Sequence, residues 1–403
     1  MVGISNIGAE AQKVNSVKAE KDRIEKEAFF CTTKELSRLG LEQIPTQFQS
    51  HKHLIYSSPA TLAFNSPGAE GFGVKRAGLA VPDSIMLIVA PGCCGRNTSL
   101  ISSMKEYNDR FYYLMMDETD IVTGRHLKKI PKAVEEICSV CPKKPSVVMI
   151  CITCVDALLG TDMERVCKKA EEQVEIPVRP CYMYALTREG RKPPMVHVRQ
   201  SLYSLLEPGK KKGNVVNLLG FFSPLVDDCE IYDLLHSAGV KTIHEISRCK
   251  DYMEYQTMSE ANFNLVLHHE ARFAAEDFHN RLQIPFIELR RLYQIDKIEN
   301  QYHALGNALG VAFYDEKYKK QAEDALEKFR QKCPDASFAI GECLNADPFE
   351  LSLALIRYGF SVPEIYGTIT VENFTYIRSL AKISPETKVF SNMEPTMIYY
   401  DPA

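Results

Sequence analysis

Two adjacent cysteines, Cys93 and Cys94, stand in the stretch IVAPGCCGRNTS, which covers residues 88–99. The largely apolar residues 85–89 predict a buried strand, and the Ala-Pro-Gly that follows predicts the turn that ends it. A disulfide between neighbours in sequence is strained and rare, and a buried structural cysteine would lie inside the strand. The position of this pair therefore leaves three explanations: a reactive thiol, a metal ligand or chance.

A third cysteine, Cys154, stands where another apolar run, PSVVMICIT, ends. If both runs are strands of one parallel sheet, Cys93, Cys94 and Cys154 lie at its carboxyl edge, where open α/β sheets bind their ligands. Soft thiolates grouped in this way suit iron–sulfur ligation. Two or three thiols fall short of four ligands, so a second chain or a non-cysteine ligand must complete the set. Unrelated thiols near a sheet edge are the alternative.

The cysteines also form two C-x-x-C pairs, Cys138/Cys141 and Cys151/Cys154, which is a spacing found in zinc ribbons. Cys138, however, falls in phase with the apolar stripe of a predicted helix, and Cys151 lies inside a predicted strand whose neighbours are apolar. Four ligands cannot converge from a helix interior and a buried strand without disrupting both. We therefore expect no zinc site here, and we expect the side chain of Cys151 to face the core.

Length and composition exclude several classes of protein. The chain has 403 residues, of which 45% are hydrophobic and 25% charged, enough for two or three globular domains. A formal net charge of −4 argues against a general nucleic-acid binder. The apolar runs are shorter than the roughly 20 residues of a membrane span, and residues 1–30 lack the apolar core of a signal peptide. We expect a cytoplasmic protein whose 13 cysteines are free thiols, an excess that favours metal or redox work.

Apolar runs alternate with helical spacing along most of the chain, which predicts the α/β class with three successive Rossmann-like parallel-sheet domains, the third abbreviated. No G-x-G-x-x-G and no G-x-x-x-x-G-K-[ST] stands at a strand–helix turn, so we expect no nucleotide on this chain. The predicted organisation is an N-terminal helical arm over residues 1–40, domain I with the candidate cysteines over 41–208, domain II over 209–312 and domain III over 313–403.

Four segments in this order resemble landmarks of the nitrogenase component 1 superfamily: APGCCGRNTS, MDETDIVTGRHLKKIPKAVEEI, PSVVMICITCVDALLGTDMERVC and NVVNLLGFFSP. That superfamily holds the molybdenum–iron protein subunits, their cofactor-assembly scaffolds, the dark-operative protochlorophyllide and chlorophyllide reductases, and the nickel-tetrapyrrole reductive cyclase of methanogens. The stretch TCVDALLGTD is similar to the family pattern TC-x-x-x-(L/I)-(L/I)-G-D-D, with Thr161 in place of an acid. The resemblance runs from about residue 50 to residue 390.

The resemblance implies a three-domain subunit that pairs with a paralogous or identical subunit and shares with it an iron–sulfur cluster, 4Fe–4S or P-cluster-like. It matches Cys154 to one cluster ligand and either Cys93 or Cys94 to a second. The spelling GCC-x-R favours Cys93, and the position of the following Gly95 favours Cys94. An ATP-dependent iron-protein reductase would deliver the electrons. The implied function is a nitrogenase-like oxidoreductase subunit that reduces a hard-to-reduce small molecule, and no catalytic residue is assigned.

The sequence departs from the family pattern in three places. The expected upstream cysteine ligand is missing, and the chain offers only serines there: Ser57, Ser58 and Ser66. His268 and His269 stand where nitrogenase has a cofactor cysteine. The histidine that holds the far side of that cofactor would lie in the later part of domain III, which we expect this chain to lack. We therefore do not expect a dinitrogen-reducing cofactor bound in the ordinary way.

Imidazoles also ligate metals, so His268 and His269 are candidate ligands of a further metallocofactor. A polar cap that faces water at a helix start is the alternative for this pair. The departures leave two other functions open beside the reductase: a scaffold that holds a metallocluster precursor during cofactor assembly, and a cluster-free structural paralogue that supports an active partner subunit.

Overall fold

The structure is a computed structural model, and it describes residues 27–49, 69–92, 103–105, 107–153, 159–182, 192–342, 346–391 and 394–401. The three candidate cysteines, Cys93, Cys94 and Cys154, lie outside the described residues. The chain divides into two compact units, one formed by Met1–Asn65 with Phe329–Ala403 and the other by Ser66–Lys328.

Within the described ranges the strands are, in chain order, β1 (Phe30–Thr32), β2 (Ile85–Ala90), β3 (Phe111–Met115), β4 (Val148–Ile152), β5 (Val178–Tyr182), β6 (Val215–Leu219), β7 (Thr242–His244), β8 (Phe263–Val266), β9 (Phe286–Glu288), β10 (Ser337–Ile340), β11 (Ser361–Tyr366) and β12 (Lys388–Phe390). The helices are α1 (Thr33–Leu39), α2 (Ala69–Ala77), α3 (Glu118–Thr123), α4 (His126–Val140), α5 (Met163–Val174), α6 (Pro194–Tyr203), α7 (Glu230–Ser237), α8 (Tyr252–Gln256), α9 (Arg272–Leu282), α10 (Ile295–Leu309), α11 (Glu316–Lys332), α12 (Pro348–Arg357) and α13 (Phe374–Ile383).

The first sheet has the strand order β3–β2–β4–β5, and its strands are parallel. Strands β2 and β4 are buried along their whole length, because helices cover both faces of a parallel sheet. Helices α4 and α5 pack on one face, and α2 and α6 pack on the other. Cys151 is fully buried in the middle of β4, so the prediction that its side chain faces the core is confirmed.

The second sheet repeats this plan with the order β7–β6–β8–β9, again with parallel pairs. Helices α7 and α10 cover one face, while α9 packs on the other face. The core on that second face is continuous with the α6 side of the first sheet, and both sheets contribute to it. The two sheets of the Ser66–Lys328 unit therefore share one apolar cluster.

The third sheet belongs to the other unit and has the order β1–β12–β11–β10. Its parallel strands β10, β11 and β12 are joined at one edge by the antiparallel β1, where Phe30 pairs with Phe390. The described part of the predicted N-terminal arm thus forms a strand and helix α1, which begins with a capping box between Thr32 and Glu35. The mixed α/β class with several parallel sheets is confirmed, and the domain boundaries given above stay predictions.

The ends of β6 and β8 approach each other closely at Gly220. This residue has a φ of +143°, and a Cβ placed on it would lie 2.8 Å from the backbone nitrogen of His268. The Arg199 guanidinium, from α6, donates two hydrogen bonds to the carbonyl oxygen of Gly220, at 3.0 and 2.6 Å. Only glycine combines this backbone conformation with this approach, so Gly220 fixes how the two strand ends meet.

We predict that Gly220→Ala destabilises the protein by at least about 1–3 kcal/mol, the usual cost of one strained backbone conformation, because the new methyl group also meets the backbone of His268. Gly213→Ala is the matched control, since a Cβ there meets nothing within 4 Å, and we expect a change within about 0.5 kcal/mol. Urea denaturation of both variants measures the difference. Equal midpoints for the two variants would contradict the close approach.

His197 is a largely buried imidazole on α6. Its ring packs edge-on against Tyr182, the last residue of β5, with 4.4 Å between centroids, and its Nδ1 lies 3.3 Å from the Ser201 hydroxyl. Burial and, to a smaller extent, the charge of Lys192 together lower the pKa of His197 to about 4. The ring is therefore neutral in the folded protein at pH values where it is already protonated in the unfolded chain.

We predict that this difference makes the folded protein lose stability as the pH falls from about 6.5 towards about 4. Above that range the ring is neutral in both states, so the stability of the neutral form is fully present. His197→Gln removes one proton-binding group from the unfolded chain, so it should reduce the slope of unfolding free energy against pH. It should not abolish the slope, because burial also lowers the pKa of His244. Urea midpoints measured from about pH 7 to about pH 4.5 test this, and an unchanged slope would contradict it.

Candidate functional site

Both sheets of the Ser66–Lys328 unit contain a point where the strand order reverses. In the first sheet the chain goes from β2 to β3 on one side and then to β4 on the other side. In the second sheet it goes from β6 to β7 and then to β8 in the same manner. The carboxyl ends of the two central strands at such a point flank a crevice that α/β proteins use for ligands. The β2–β4 edge and the β6–β8 edge are therefore the two candidate places for a site.

The β2–β4 edge is the one that precedes the candidate cysteines. Strands β2 and β4 are neighbours, with Val89 paired to Ile152 at their carboxyl ends, as the apolar runs predicted. Cys93 follows Gly92 in sequence, and Cys154 follows Thr153. The described chain thus brings together the two strand ends that lead into these residues, and the ligand assignment itself stays a prediction.

Side chains of β3 secure the end of β2. The Tyr113 hydroxyl donates a hydrogen bond to the carbonyl oxygen of Ala90 at 3.2 Å, and it also bonds to that of Pro91. Met115 lies beside the turn, since a Cβ on Gly92 would be 3.8 Å from its terminal methyl group. The side chain of Met115 is 61% exposed, so an apolar surface borders the turn that leads to Cys93.

Thr153 is the last described residue before Cys154, and it is only 2% exposed. Its Oγ1 has no hydrogen-bond partner among the described residues. Leaving a buried hydroxyl unpaired costs about 1–3 kcal/mol, and such a group is commonly explained by a ligand or a bound solvent molecule. A hydroxyl donor next to predicted thiolate ligands fits an iron–sulfur cluster, whose sulfurs accept hydrogen bonds.

The acidic turn that resembles a family landmark has a structural role in this chain. The Asp120 carboxylate is buried and is held by Arg125 at 2.8 Å and by Lys129 at 2.6 Å. The hydrogen bonds from Lys129 and Arg125 keep the pKa of Asp120 well below its usual range. Asp117 forms a capping box with Asp120 at the start of α3. These bonds fix the junction between α3 and α4.

The β6–β8 edge holds the two candidate histidines. The rings of His268 and His269 are stacked with 4.5 Å between centroids, and Phe221 packs edge-on against His268 at 5.7 Å. The backbone N–H of Glu270 donates to His268 Nδ1 at 3.3 Å. In the neutral ring this hydrogen bond assigns the proton to Nε2. A metal bound through Nε2 would place the proton on Nδ1 instead, facing the N–H of Glu270.

Arg199 is a residue of this edge that the sequence analysis missed. It is a nearly fully buried guanidinium that donates to Gly220 O, to Met195 O and, at 2.8 Å, to the carboxylate of Glu270. It also stacks over the ring of Phe222 at 4.6 Å. The sequence contained one indication, since Arg199 is a charged residue among the buried positions of α6. Its partner could not be identified from the sequence, because Glu270 is 71 residues away.

The contents of the β6–β8 edge therefore differ from those of the β2–β4 edge. Protein groups satisfy one another at the second edge: Arg199 with Glu270, and Arg272 with Glu288 through two hydrogen bonds of 2.9 and 3.0 Å. No group of three or more potential metal-binding side chains occurs among the described residues. His268 and His269 as ligands of a further metallocofactor stay a prediction.

A cavity of about 280 Å³ opens at the amino end of the first sheet, lined among others by Asp83, Tyr112 and Cys141. The Tyr112 hydroxyl lies 3.1 Å from Cys141 Sγ, and this contact together with burial raises the pKa of Tyr112 to about 12. The cavity is on the opposite edge from Thr153. Cys141 thus lies at the opposite edge of the first sheet from Thr153.

In the parts of the chain that the structure describes, no helix is long and apolar enough to cross a membrane.

The curated proteins that this chain resembles include several cofactor biosynthesis proteins. The chain is 25% identical over 284 residues to the nitrogenase iron-molybdenum cofactor biosynthesis protein NifE of Nostoc sp. This alignment covers 67% of this chain and 58% of that protein. It is 24% identical to NifE of Clostridium pasteurianum over 62% of this chain and 54% of the relative. It is 24% identical to NifE of Sinorhizobium fredii over 85% of this chain and 72% of that relative. The chain thus spans little more than half the length of the first two relatives.

Solved structures show the same fold. The structure of nitrogenase Cp1 at pH 6.5 aligns with a TM-score of 0.64 and 18% identity, covering 89% of this chain and 82% of that one. The structure of nitrogenase Cp1 at pH 5 aligns with a TM-score of 0.58 and 17% identity. A family model described as nitrogenase component 1 type oxidoreductase matches residues 70–359. The resemblance found in the sequence is confirmed, and the chain belongs to the nitrogenase component 1 type oxidoreductase family.

Proposed function

We propose that the chain is an iron–sulfur subunit that holds a metallocluster during cofactor assembly and passes it on. The observation that carries the proposal is the pairing of β2 with β4, which brings the strand ends before Cys93 and Cys154 side by side at the first switch point. The relatives support the choice of a scaffold over a reductase, since those named above are cofactor biosynthesis proteins.

In this proposal Cys154 and one of Cys93 and Cys94 ligate the cluster, which is of the 4Fe–4S or P-cluster-like kind. When bound, the cluster supplies one-electron redox chemistry or serves as the cargo itself. The chain contributes the thiolates and the fixed spacing of two hydrogen-bonded strands. No residue is proposed to act as a nucleophile or a general acid.

A second, like or identical subunit completes the ligand set across an interface. The chain offers two or three cysteines where a cubane cluster takes about four ligands. Two apolar side chains are exposed here: Met115, at the carboxyl end of β3, is 61% exposed, and Val122, on the helix α3 that follows β3, is 85% exposed. Obligate interfaces bury such surface and commonly exceed about 2,000 Å², so we propose this side of the first sheet as the subunit contact.

The second candidate is a nitrogenase-like reductase subunit that accepts electrons from an ATP-dependent iron protein and reduces a small molecule. The description of the matching family as oxidoreductases favours it. Both candidates need a bound cluster and a partner subunit. They differ in what leaves the protein: the cluster in the first case, electrons in the second.

We predict that Cys154→Ala loses cluster binding, whereas Cys151→Ala retains it, because Cys151 is fully buried within β4 and faces the core. Cys93→Ala and Cys94→Ala should differ from each other, since one turn presents only one of two adjacent side chains to the same point. Iron and sulfide are counted per chain after anaerobic reconstitution with ferrous iron, sulfide and a thiol reductant. If Cys151 proves essential while Cys154 does not, the site assignment is wrong.

We further predict that loaded protein transfers its iron to a cluster-free acceptor of the same family. The two proteins are mixed anaerobically and separated, and iron is counted in each. The Cys154→Ala variant, taken through the same reconstitution, measures carry-over of loose iron. Iron that stays on this chain, together with ATP-dependent electron uptake from an iron-protein reductase, would overturn the scaffold proposal in favour of the reductase.

A further inference from the structure

We propose that the Thr153 hydroxyl donates a hydrogen bond to a sulfur atom of the cluster at the β2–β4 edge and raises the midpoint potential of that cluster. Thr153 would then be a positioning residue that ties the cluster to the end of β4. The inference rests on the proposed function, because it requires that a cluster binds at this edge.

The first support is the contrast between Thr153 and the other buried threonines. Thr33 donates from its hydroxyl to the carbonyl oxygen of Ser384 at 2.7 Å, and Thr387 donates to that of Val362 at 2.9 Å. Thr153 is as deeply buried as these two, yet its hydroxyl has no partner in the described part of the chain. Among the described residues, Thr33 and Thr387 therefore have acceptors for their hydroxyls and Thr153 has none.

The second support is the sequence around Thr153. The preceding residues of β4, from Val148 to Ile152, form a fully buried apolar run, so the local pattern would accept valine at position 153. Valine has nearly the shape of threonine but no hydroxyl, and it would avoid the cost of an unpaired buried donor. A threonine at this position avoids the free-energy cost of an unpaired buried donor only if an acceptor reaches its hydroxyl.

The third support is the acceptor that the proposed function supplies. Thr153 directly precedes Cys154, the predicted ligand, and it lies at the switch point between β2 and β4. Thiolate and sulfide sulfurs of a cluster carry negative charge, and hydrogen bonds to charged acceptors are stronger than neutral ones. A reduced cluster carries one more negative charge than the oxidised form, so the bond stabilises the reduced form more and raises the potential.

The test compares wild type with Thr153→Val and Thr153→Ser in anaerobically reconstituted protein. Midpoint potentials are measured by redox titration followed by electron paramagnetic resonance. We expect Thr153→Val to shift the potential to a lower value and Thr153→Ser, which keeps the hydroxyl, to restore it towards wild type. A wild-type potential in Thr153→Val with an intact cluster overturns this inference and leaves the proposed function standing. A wild-type protein that binds no cluster overturns both.

A second measurement uses the cluster-free protein and does not depend on loading. Thr33→Val is the matched control, because it removes a hydroxyl that has a protein partner. We expect Thr33→Val to lower the urea midpoint and Thr153→Val to leave it unchanged or raise it, since no protein hydrogen bond is lost. If Thr153→Val lowers the midpoint as much as Thr33→Val does, the hydroxyl is bonded within the protein and the inference is wrong.

Discussion

The parallel pairing of β2 with β4 is the constraint on which the rest of the first sheet depends. Five residues of β2, from Ile85 to Val89, are matched one by one to β4, and both strands are buried on both faces. A slip by one residue would turn Cys151 and its neighbours to the opposite face. Because the register cannot slip, the points where β2 and β4 end are fixed relative to each other, and the segments that follow them must begin side by side.

The same topology occurs twice in this unit, but the two edges have different contents. At the β6–β8 edge, Gly220 allows a close approach to the backbone of His268, and Arg199 forms an ion pair with Glu270. At the β2–β4 edge, the buried hydroxyl of Thr153 has no hydrogen-bond partner among the described residues. Among the described residues, charged groups of the protein thus pair with one another at the β6–β8 edge, whereas a buried hydroxyl without a described partner lies at the β2–β4 edge. For this reason we propose the functional site at the β2–β4 edge of the first sheet.

Local patterns predicted the central strands well. The runs that became β2 and β4 are apolar throughout, as burial on both faces favours. Those that became β6 and β8 are apolar except for Asn217 and Asn264, which hydrogen-bond to each other in the core. They did not predict β1, a three-residue strand that pairs with β12 from the far end of the chain. They also missed the bond of Arg199 to Glu270, which lies 71 residues away. Contacts of this kind depend on tertiary packing and leave no periodic signal in the sequence.

The predicted number of cysteine ligands at the first edge, two or three, bears on the choice between the two candidate functions. A resident redox centre benefits from a complete protein shell that keeps every iron coordinated through many turnovers. A carrier has the opposite requirement, since each ligand it supplies must be exchanged when the cluster leaves. In the proposed scaffold, two or three thiolates from one chain, with the remainder supplied across an interface, would allow release when the partners separate. The proposed hydrogen bond from Thr153 is consistent with a carrier, because it would orient the cluster without adding a bond to iron.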